Sequence, residues 1–300
     1  MRDLSPRDLA RSLGVSESSV KRWVDDGALA AMRTTGGHRR IALAEAVRFI
    51  RETGAPVVRP DVIVGAGAAA PVAPFDAAAN RVVGEQLFTL LEQDDAAAAR
   101  ALLLALYVSG WPVAGLCDGP MRYALERVGT LWQHGPAGIV VEHRATDTCV
   151  RALAEMRTLL TPPAAGAAVA LGAAPTGDPY IVPSMMAAAV LADLGYRDHN
   201  LGPEVPMPAL GQAADHYRPH IVWLALSVVR EDDGLTAAAV ELADRLARRG
   251  ATLVLGGRGV PALAPTAGLL RIHSMAELAA FARGAWAVSV AHSADTKQVH

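Results

Sequence analysis

The chain has 300 residues, of which 52% are hydrophobic and 19% charged, which suits two or three domains with buried cores. A net charge of -2 excludes a protein that binds nucleic acid along its whole length, and no run of about 18 apolar residues indicates a membrane span. The N-terminus lacks a signal-peptide core, and two cysteines, Cys117 and Cys149, make no disulfide framework. We therefore expect a cytoplasmic protein.

Residues 1–54 are predicted to form a basic helix-turn-helix module. They contain ten Lys or Arg and seven Asp or Glu, a net charge of +3, which leaves -5 for the remainder. Ser5 and Asp8 are spaced as a capping box, Gly14 ends the first helix, and Ser16 caps the second. The second helix presents short donors and cations suited to phosphates and base edges: Ser18, Ser19, Lys21 and Arg22.

The next segment is predicted to form a basic β-hairpin, or wing. Gly36 and Gly37 form a tight turn between two short strands, and a third helix over Leu43–Thr53 is expected to pack beneath them. The predicted DNA contacts of the wing are Arg33, Thr35, His38, Arg39 and Arg40.

Recognition helix and wing together resemble the MerR family of winged-helix regulators. The stretch SVKRWVDDGALAAMRTTGGHRRI matches the family's helix and wing, and the pattern R-T-x-G-G-H-R within it is specific to the family. The resemblance implies binding to operator DNA as a dimer or higher oligomer, because one head makes too few contacts for an operator. The alternative is a basic three-helix module that does not bind DNA.

Residues 55–74, rich in Pro, Gly and Ala, are predicted to be a flexible tether. Residues 75–162 then show four helical patterns with short connections, which predicts a four-helix bundle. The expected helices are Asn80–Glu92, Asp94–Ser109, Val113–Gln133 and Ile139–Leu160. No long dimerising coiled coil follows the head, so homo-oligomerisation is expected to arise elsewhere.

The last connection of the bundle carries Trp132, followed by the adjacent pair Glu142 and His143. Three interpretations are open for this pair. It is a solvated helix face, a metal site, or part of a ligand cap with Trp132 as an aromatic lid. The metal site is disfavoured because no partner with Glu-x-x-His spacing occurs in the bundle, and we expect no metal ligands.

Residues 165–292 alternate strand and helix patterns, which predicts a doubly wound parallel sheet with ligands at the carboxyl ends of its strands. The expected strands are Val169–Ala173, Asp198–Leu201, Ile221–Ser227, Thr252–Leu255 and Leu269–His273. Residues 293–300 are read as a tail. The fold class is therefore α and α/β, with a winged head, a bundle and a sheet domain.

Three strand ends in this domain are chemically notable. The loop GDPYIVPSM follows the first strand, Ser227 follows the third, and Gly256-Gly257 follows the fourth, where missing side chains would let a ligand approach the backbone. Each signal is weak alone, because two glycines after a strand are often only a turn.

The order of these strand ends resembles the cobalamin-binding domain. Ser227-Val228-Val229 and Gly256-Gly257 fit the family pattern, and Trp132 with Glu142 and His143 resembles the cap over the upper face of cobalamin. Head, bundle and sheet together resemble the light-responsive repressors of the CarH/LitR type over nearly the whole chain. That resemblance implies a photoreceptor in which adenosylcobalamin holds a tetramer on its operator until light cleaves the cobalt–carbon bond.

The first loop departs from the cobalamin pattern. Asp178 matches the family's acid, but Tyr180 stands where the histidine ligand of cobalt is expected and Pro183 stands in place of a glycine. A phenol with a pKa of about 10 is a poor substitute for a neutral imidazole, and proline has neither an N–H nor conformational freedom.

Three hypotheses follow for the cofactor. The sheet domain binds cobalamin without the histidine, or it binds a linear bilin such as biliverdin between Trp132, His143 and Tyr180. In the third hypothesis the cleft is empty or takes a small metabolite, and the domain only oligomerises. The cysteines are read either as core residues or as attachment sites for a bilin thioether. An enzyme is not expected, because a catalytic barrel, a Ser/His/Asp order, a Walker loop and an HExxH motif are all missing.

Overall fold

The computed structural model describes residues 3–65, 75–229 and 234–296, without the side chains of residues 77, 132, 134 and 286–296. The chain forms two compact units, Met1–Thr161 and Pro162–His300. Among the described residues, no helix is both long enough and apolar enough to cross a membrane.

The head begins with two short helices, α1 (Pro6–Leu13) and α2 (Glu17–Asp25). Ser5 and Asp8 make the predicted capping box at the start of α1. Gly14 ends α1 with φ 68°, a left-handed conformation that glycine adopts without strain. The helix-turn-helix prediction is confirmed by this geometry.

A three-stranded sheet follows, formed by β1 (Asp3–Leu4), β2 (Met32–Arg33) and β3 (Arg39–Ala42) in the order β1-β3-β2. The predicted wing is the β2–β3 hairpin, in which Gly37 turns with φ 78°. The sequence analysis missed β1, whose two residues are too few for a periodic signal. Helix α3 (Leu43–Thr53) packs beneath the sheet through buried Ala46, Val47 and Ile50.

The segment after the head differs from the expected tether in its first half. Helix α4 (Pro60–Val64) buries Val62 and Ile63, and the backbone N–H groups of Val58 and Arg59 donate to the carbonyl of Ser12. Short helices lacking amphipathic period are difficult to predict, because packing rather than local propensity stabilises them. Residues 66–74 of the predicted tether lie outside the described part.

The bundle contains the four predicted helical segments, but the third one is interrupted. Its helices are α5 (Ala77–Glu92), α6 (Ala96–Val108), α7 (Val113–Leu116), α8 (Arg122–Val128) and α9 (Pro136–Arg157). A π-helical turn over Cys117–Met121 separates α7 from α8. Pro120 within this turn has no N–H to donate, so the regular hydrogen-bond ladder cannot continue. A 3-10 turn over Leu131–His134 precedes α9.

The second unit is the predicted doubly wound sheet. All five strands are parallel, in the order β5-β4-β6-β7-β8. The strands are β4 (Val169–Ala173), β5 (Arg197–Asn200), β6 (Ile221–Ala225), β7 (Thr252–Gly256) and β8 (Leu269–Ile272). The helices are α10 (Ile181–Asp193), α11 (Met207–Tyr217), α12 (Leu235–Ala247) and α13 (Met275–Thr296).

Alternate residues of the central strands face opposite helical layers, as the two-residue period of a strand requires. Leu171, Val222 and Leu224 belong to a core cluster with residues of α11 and α12. Gly172 and Trp223 point to the other layer, where the indole of Trp223 reaches Ser184 of α10. The strand order reverses between β4 and β6, and ligands of such sheets bind at the carboxyl ends beside this reversal.

Candidate functional site

The predicted recognition helix α2 starts with three serines that bond to one another. The Oγ of Ser16 accepts the N–H of Ser19 at 3.1 Å, and it lies 2.8 Å and 2.9 Å from the hydroxyls of Ser18 and Ser19. Ser18 is exposed. The N-terminus of the helix therefore presents hydroxyls at the end where backbone N–H groups favour phosphate.

The cations of the head are not equally available. Lys21 pairs with Glu17 at 2.8 Å on the same helix, whereas Arg22 is exposed. Arg39 of the wing forms an ion pair with Asp25 at the end of α2, and its side chain is only 19% exposed. Arg39 therefore holds the wing against the recognition helix in this structure, a contact that sequence spacing does not reveal.

The other predicted wing residues lie at the surface. In the hairpin turn, the N–H of His38 donates to the Oγ1 of Thr34 at 3.2 Å, and the N–H of Thr34 donates to the carbonyl of His38 at 2.9 Å. The exposed positions are Arg33, Thr35, His38 and Arg40. Arg33 and Arg40, on neighbouring strands, are the exposed cations of the wing.

Two residues of α3 that the sequence analysis missed hold the segment between α2 and the wing. Glu45 accepts the N–H of Ala30 at 2.8 Å, and Arg48 donates to the carbonyl of Ala28 at 3.4 Å. The hydrogen bond from Arg48 to Glu45 lowers the pKa of Glu45, and the same bond raises the pKa of Arg48. These contacts hold the segment between α2 and the wing against α3.

The predicted cap residues lie in the first unit. Helix α9 carries Glu142, which is partly exposed, and His143, which is exposed. Ile139 and Val140 on the same helix are 47% and 56% exposed, so this end of α9 presents apolar surface. The side chain of Trp132 lies outside the described residues. The remaining predicted cofactor residues belong to the second unit.

Both cysteines are core residues of the bundle. Cys117 is 1% exposed and Cys149 is 0% exposed. Burial raises the pKa of the Cys149 thiol to about 12, which removes the thiolate needed for covalent attachment at neutral pH. The burial of these thiols favours the core interpretation over a bilin thioether.

Asp178, the acid of the first loop, joins two strand ends of the sheet domain. It is 1% exposed, and its Oδ2 accepts the N–H groups of Ser227 at 2.5 Å and Val228 at 3.2 Å. Its Oδ1 accepts the N–H of Tyr180 at 3.3 Å. Both oxygens are thus bound by backbone donors, so this carboxylate orders the loops and does not orient a ligand side chain.

The loop after β5 is tied to the same place. Gly177 donates its N–H to the Oε2 of Glu204 at 2.6 Å, and Glu204 donates its own N–H to the carbonyl of Asp178 at 3.3 Å. The N–H of Val205 donates to the carbonyl of Ala174, and the N–H of Ala174 donates to the carbonyl of Gly202, which continues the pairing beyond β4. Three of the loops at the carboxyl edge therefore bind one another directly.

Close contacts with the backbone of the loop after β6 account for the glycines after β7. A Cβ at Gly257 would lie 2.2 Å from the carbonyl oxygen of Leu226, and a Cβ at Gly259 would lie 2.2 Å from that of Val228. Arg258 between them donates to the carbonyl of Ser227 at 2.7 Å. Glycine is required at these positions because the loop after β6 passes close to them. The sequence pattern predicts instead that the missing side chains make room for a ligand.

The outer rim of this edge remains open. Tyr180 is 42% exposed and Val229 is 75% exposed, while Ser227 is partly exposed. Gly256 is also only partly buried and packs against Ile272. Pro183 is the third residue of α10, a position where the backbone N–H has no partner within the helix and proline is tolerated.

These residues do not fit a cobalamin whose cobalt is held by a side chain of the first loop. Tyr180 offers a phenol, and the carboxylate of Asp178 is already bound by backbone donors. The close approaches that glycine permits at Gly257 and Gly259 are taken by backbone carbonyls. Among the described residues, no group of three His, Cys, Asp or Glu side chains could hold a metal ion.

A cavity of about 540 Å³ lies at the opposite, amino edge of the sheet. It is lined by residues that include Asp215, Arg218 and Arg249. Asp215 pairs with Arg249 at 2.6 Å and with Arg245 at 2.8 Å. Arginines at the carboxyl ends of α11 and α12 offset the helix dipoles, which accounts for their presence without a ligand.

The N-terminal geometry agrees with a known family. Residues 4–54 match the model of a helix-turn-helix domain. The chain carries a helix-turn-helix domain. This match covers the head alone. No curated protein is significantly similar to the chain in sequence.

The fold is similar to that of a solved corrinoid protein. The monomethylamine corrinoid protein of Methanosarcina barkeri aligns with a TM-score of 0.51 and 17% identity, over 67% of this chain and 97% of that one. At this identity the similarity shows the fold alone.

Two further structures align less well. A novel cobalamin-binding protein from Desulfitobacterium hafniense DCB-2 gives a TM-score of 0.35 with 15% identity, over 67% of this chain and 98% of that one. The methanol:cobalamin methyltransferase complex MtaBC from Methanosarcina barkeri gives 0.35 with 17% identity, over 71% and 81% of the two chains.

Proposed function

We propose that this protein is a transcription regulator that binds operator DNA as a homo-oligomer, a dimer or tetramer, and that it is not an enzyme. The observation that carries the proposal is the helix-turn-helix domain with exposed Arg22, Arg33 and Arg40 around its recognition helix and wing. Arginines in these positions contact phosphates and base edges. The MerR-type pattern of the wing supports the regulator class over a DNA-binding enzyme.

The proposed control element is a tetrapyrrole bound at the carboxyl edge of the sheet domain. The similar fold of a solved structure named as a corrinoid protein supports this ligand class. A linear bilin such as biliverdin is the first candidate because it needs no axial metal ligand, and the loop offers Tyr180 and Val229 as exposed contacts. Trp132 and His143 of the bundle would provide stacking and hydrogen bonding. A bound bilin would make the protein a light sensor.

Two other control mechanisms are retained as alternatives. Adenosylcobalamin could be held without a histidine ligand, in which case the resemblance to CarH-type photoreceptors extends to the cofactor. Alternatively the sheet domain binds a small metabolite or nothing, and serves oligomerisation. The loop bonds made by Asp178 and Glu204 tie the strand-end loops to one another through the chain's own groups, which suits this last alternative.

Absorption spectra of the purified full chain distinguish these possibilities. Titration with biliverdin is expected to give a red-shifted visible band, and titration with adenosylcobalamin is expected to leave the cobalamin spectrum unchanged. Trp132→Ala and His143→Ala should each weaken biliverdin binding while leaving operator binding intact. The matched control is Thr130→Ala, in the loop before the 3-10 turn. If neither tetrapyrrole binds, the proposed ligand class is wrong and the DNA-binding proposal stands on its own.

A further inference from the structure

The helical layer that contains α10 covers a sheet surface on which a glycine and a tryptophan lie side by side. On β4, Gly172 has no side chain, and its partner across the ladder on β6 is Trp223. A Cβ at Gly172 would lie 1.9 Å from the indole ring of Trp223. The ring therefore occupies the space above Gly172 that any other residue type at that position would need.

The facing surface of α10 is also small. Ser184 contacts Trp223, and Ala187 and Ala188, three and four residues later, share that face of the helix and are buried. Trp223 itself is 2% exposed. A single indole thus fills the space between a side-chain-free strand position and a helix of small residues.

The ring N–H of this indole has a hydrogen-bond partner inside the protein. The Nε1–H of Trp223 donates to the Oγ of Ser184 at 3.0 Å, and the hydroxyl of Ser184 donates to the Oδ1 of Asn200 at 2.8 Å. The same Oδ1 accepts the N–H of Gly202 at 3.0 Å. Ser184, at 0% exposed, has one acceptor and one donor bond. A satisfied buried chain of this kind fixes the ring in one orientation.

We infer that Trp223 is a specificity-determining residue that closes the space between the sheet and α10 against any ligand group. A ligand of the sheet domain then lies on the outer rim, against Tyr180 and Val229, and inserts nothing between the two layers. The identity of the ligand rests on the proposed function, whereas the closed space follows from the contacts of Trp223 with Gly172 and Ser184.

Calorimetric titration of the full chain with indole tests the closed space directly. Trp223→Ala removes a ring from a buried, largely apolar site, and engineered cavities of this kind bind aromatic molecules. We expect about one indole bound per chain in Trp223→Ala and none in the wild type. Leu224→Met, which changes a buried side chain on the other face of the same strand without removing its volume, is the matched control and should bind none.

Thermal unfolding gives a second readout. At an indole concentration of about ten times its dissociation constant, the midpoint for Trp223→Ala should rise by about 4 °C, with no rise for the wild type or the control. If Trp223→Ala does not fold, refolding in the presence of indole should restore it. Gly172→Ala should lower the midpoint in the wild type by more than in Trp223→Phe, because the smaller ring leaves room for the methyl group.

Two results would overturn the inference. One is indole binding by the wild type as tight as by Trp223→Ala, which would mean that the space is already open. The other is a folded Trp223→Ala that binds no indole. Biliverdin titrations separate this outcome from the proposed function. If the wild type binds biliverdin, Trp223→Phe should bind it within about twofold and Tyr180→Ala about tenfold more weakly. If the wild type binds none, only the ligand proposal fails.

Discussion

Asp178 illustrates how one residue can be placed correctly from sequence and yet serve a different purpose. The loop position and the acidic side chain follow the cobalamin pattern, but the carboxylate is buried against the backbone N–H groups of Ser227 and Val228. Nothing in the spacing of GDPYIVPSM distinguishes a ligand-orienting acid from one that ties two loops together. The role of the carboxylate depends on the contact between the loops that follow β4 and β6.

Replacing this carboxylate tests its role in the loop. Asp178→Asn removes the charge and one acceptor, and a charge-assisted hydrogen bond contributes about 2 kcal/mol. We expect the amides of Ser227 and Val228 to exchange with solvent about 30-fold faster, as measured by hydrogen exchange. Glu241→Gln, an exposed change on α12, should leave both rates unaltered. Equal rates in Asp178→Asn and the wild type would exclude the proposed tie.

Glu45 provides a pH-dependent prediction for the head. The hydrogen bond from Arg48 lowers the pKa of Glu45 below its ordinary value of 4.5. A lowered carboxyl pKa stabilises the folded state above the unfolded pKa, and this contribution is lost as the pH falls through the folded value.

The free energy of unfolding of the head should therefore decline as the pH is lowered from about 5 towards 3. Glu45→Gln should show a flatter decline over that window, measured by urea unfolding at each pH. The same slope in both proteins would mean that protonation of Glu45 is not coupled to unfolding of the head.

At the scale of elements, sequence patterns predicted every strand of the sheet domain and the three helices of the head. Their signals are local: the capping residues Ser5 and Ser16, and continuous apolar runs such as Ile221–Ala225. Sequence patterns did not predict the elements whose formation depends on tertiary packing. Helix α4 lacks a periodic face, and the π-helical turn over Cys117–Met121 depends on a proline inside an otherwise helical pattern.

The joint between head and bundle is another feature set by packing. Arg51 at the end of α3 donates to the carbonyls of Tyr107 at 2.8 Å and Trp111 at 3.1 Å, and its guanidinium lies 4.1 Å from the ring centroid of Tyr107. The cation thus binds the carboxyl end of α6, where the helix dipole favours positive charge. Head and bundle are held together by this contact and by α4.

Removing the guanidinium should loosen this joint. Arg51→Ala is expected to accelerate hydrogen exchange in Pro60–Val64 by about tenfold or more, because about 1.5–3 kcal/mol of charge-assisted bonding is lost. Arg151→Ala, which removes an exposed arginine that pairs with Asp147 on its own helix α9, is the matched control. Unchanged protection of α4 in Arg51→Ala would show that apolar packing alone holds the head.

At the scale of the whole molecule, the order of the domains can be predicted from the amino-acid pattern more readily than their functions. Exposed Arg22, Arg33 and Arg40 point to DNA, and the sheet domain has the fold of corrinoid proteins. Three features that bear on ligand choice have no sequence signature: the carboxylate of Asp178 bound by backbone, the carbonyls above Gly257, and Trp223 above Gly172. Each depends on atoms from distant strands, which no local pattern specifies.

The central claim is that the winged head binds specific DNA, and selection of binding sites from a random duplex pool by the full chain tests it most directly. We predict enrichment of one sequence motif by the wild type and its loss in the double variant Arg22→Ala/Arg40→Ala. For the selected site, the slope of log affinity against log salt should fall by about two for each head bound, or about four for a dimer, in that variant. Arg122→Ala/Arg151→Ala, which removes the same charge from the bundle, should retain motif and slope. Enrichment of no motif by the wild type, or of the same motif by both double variants, would contradict the account.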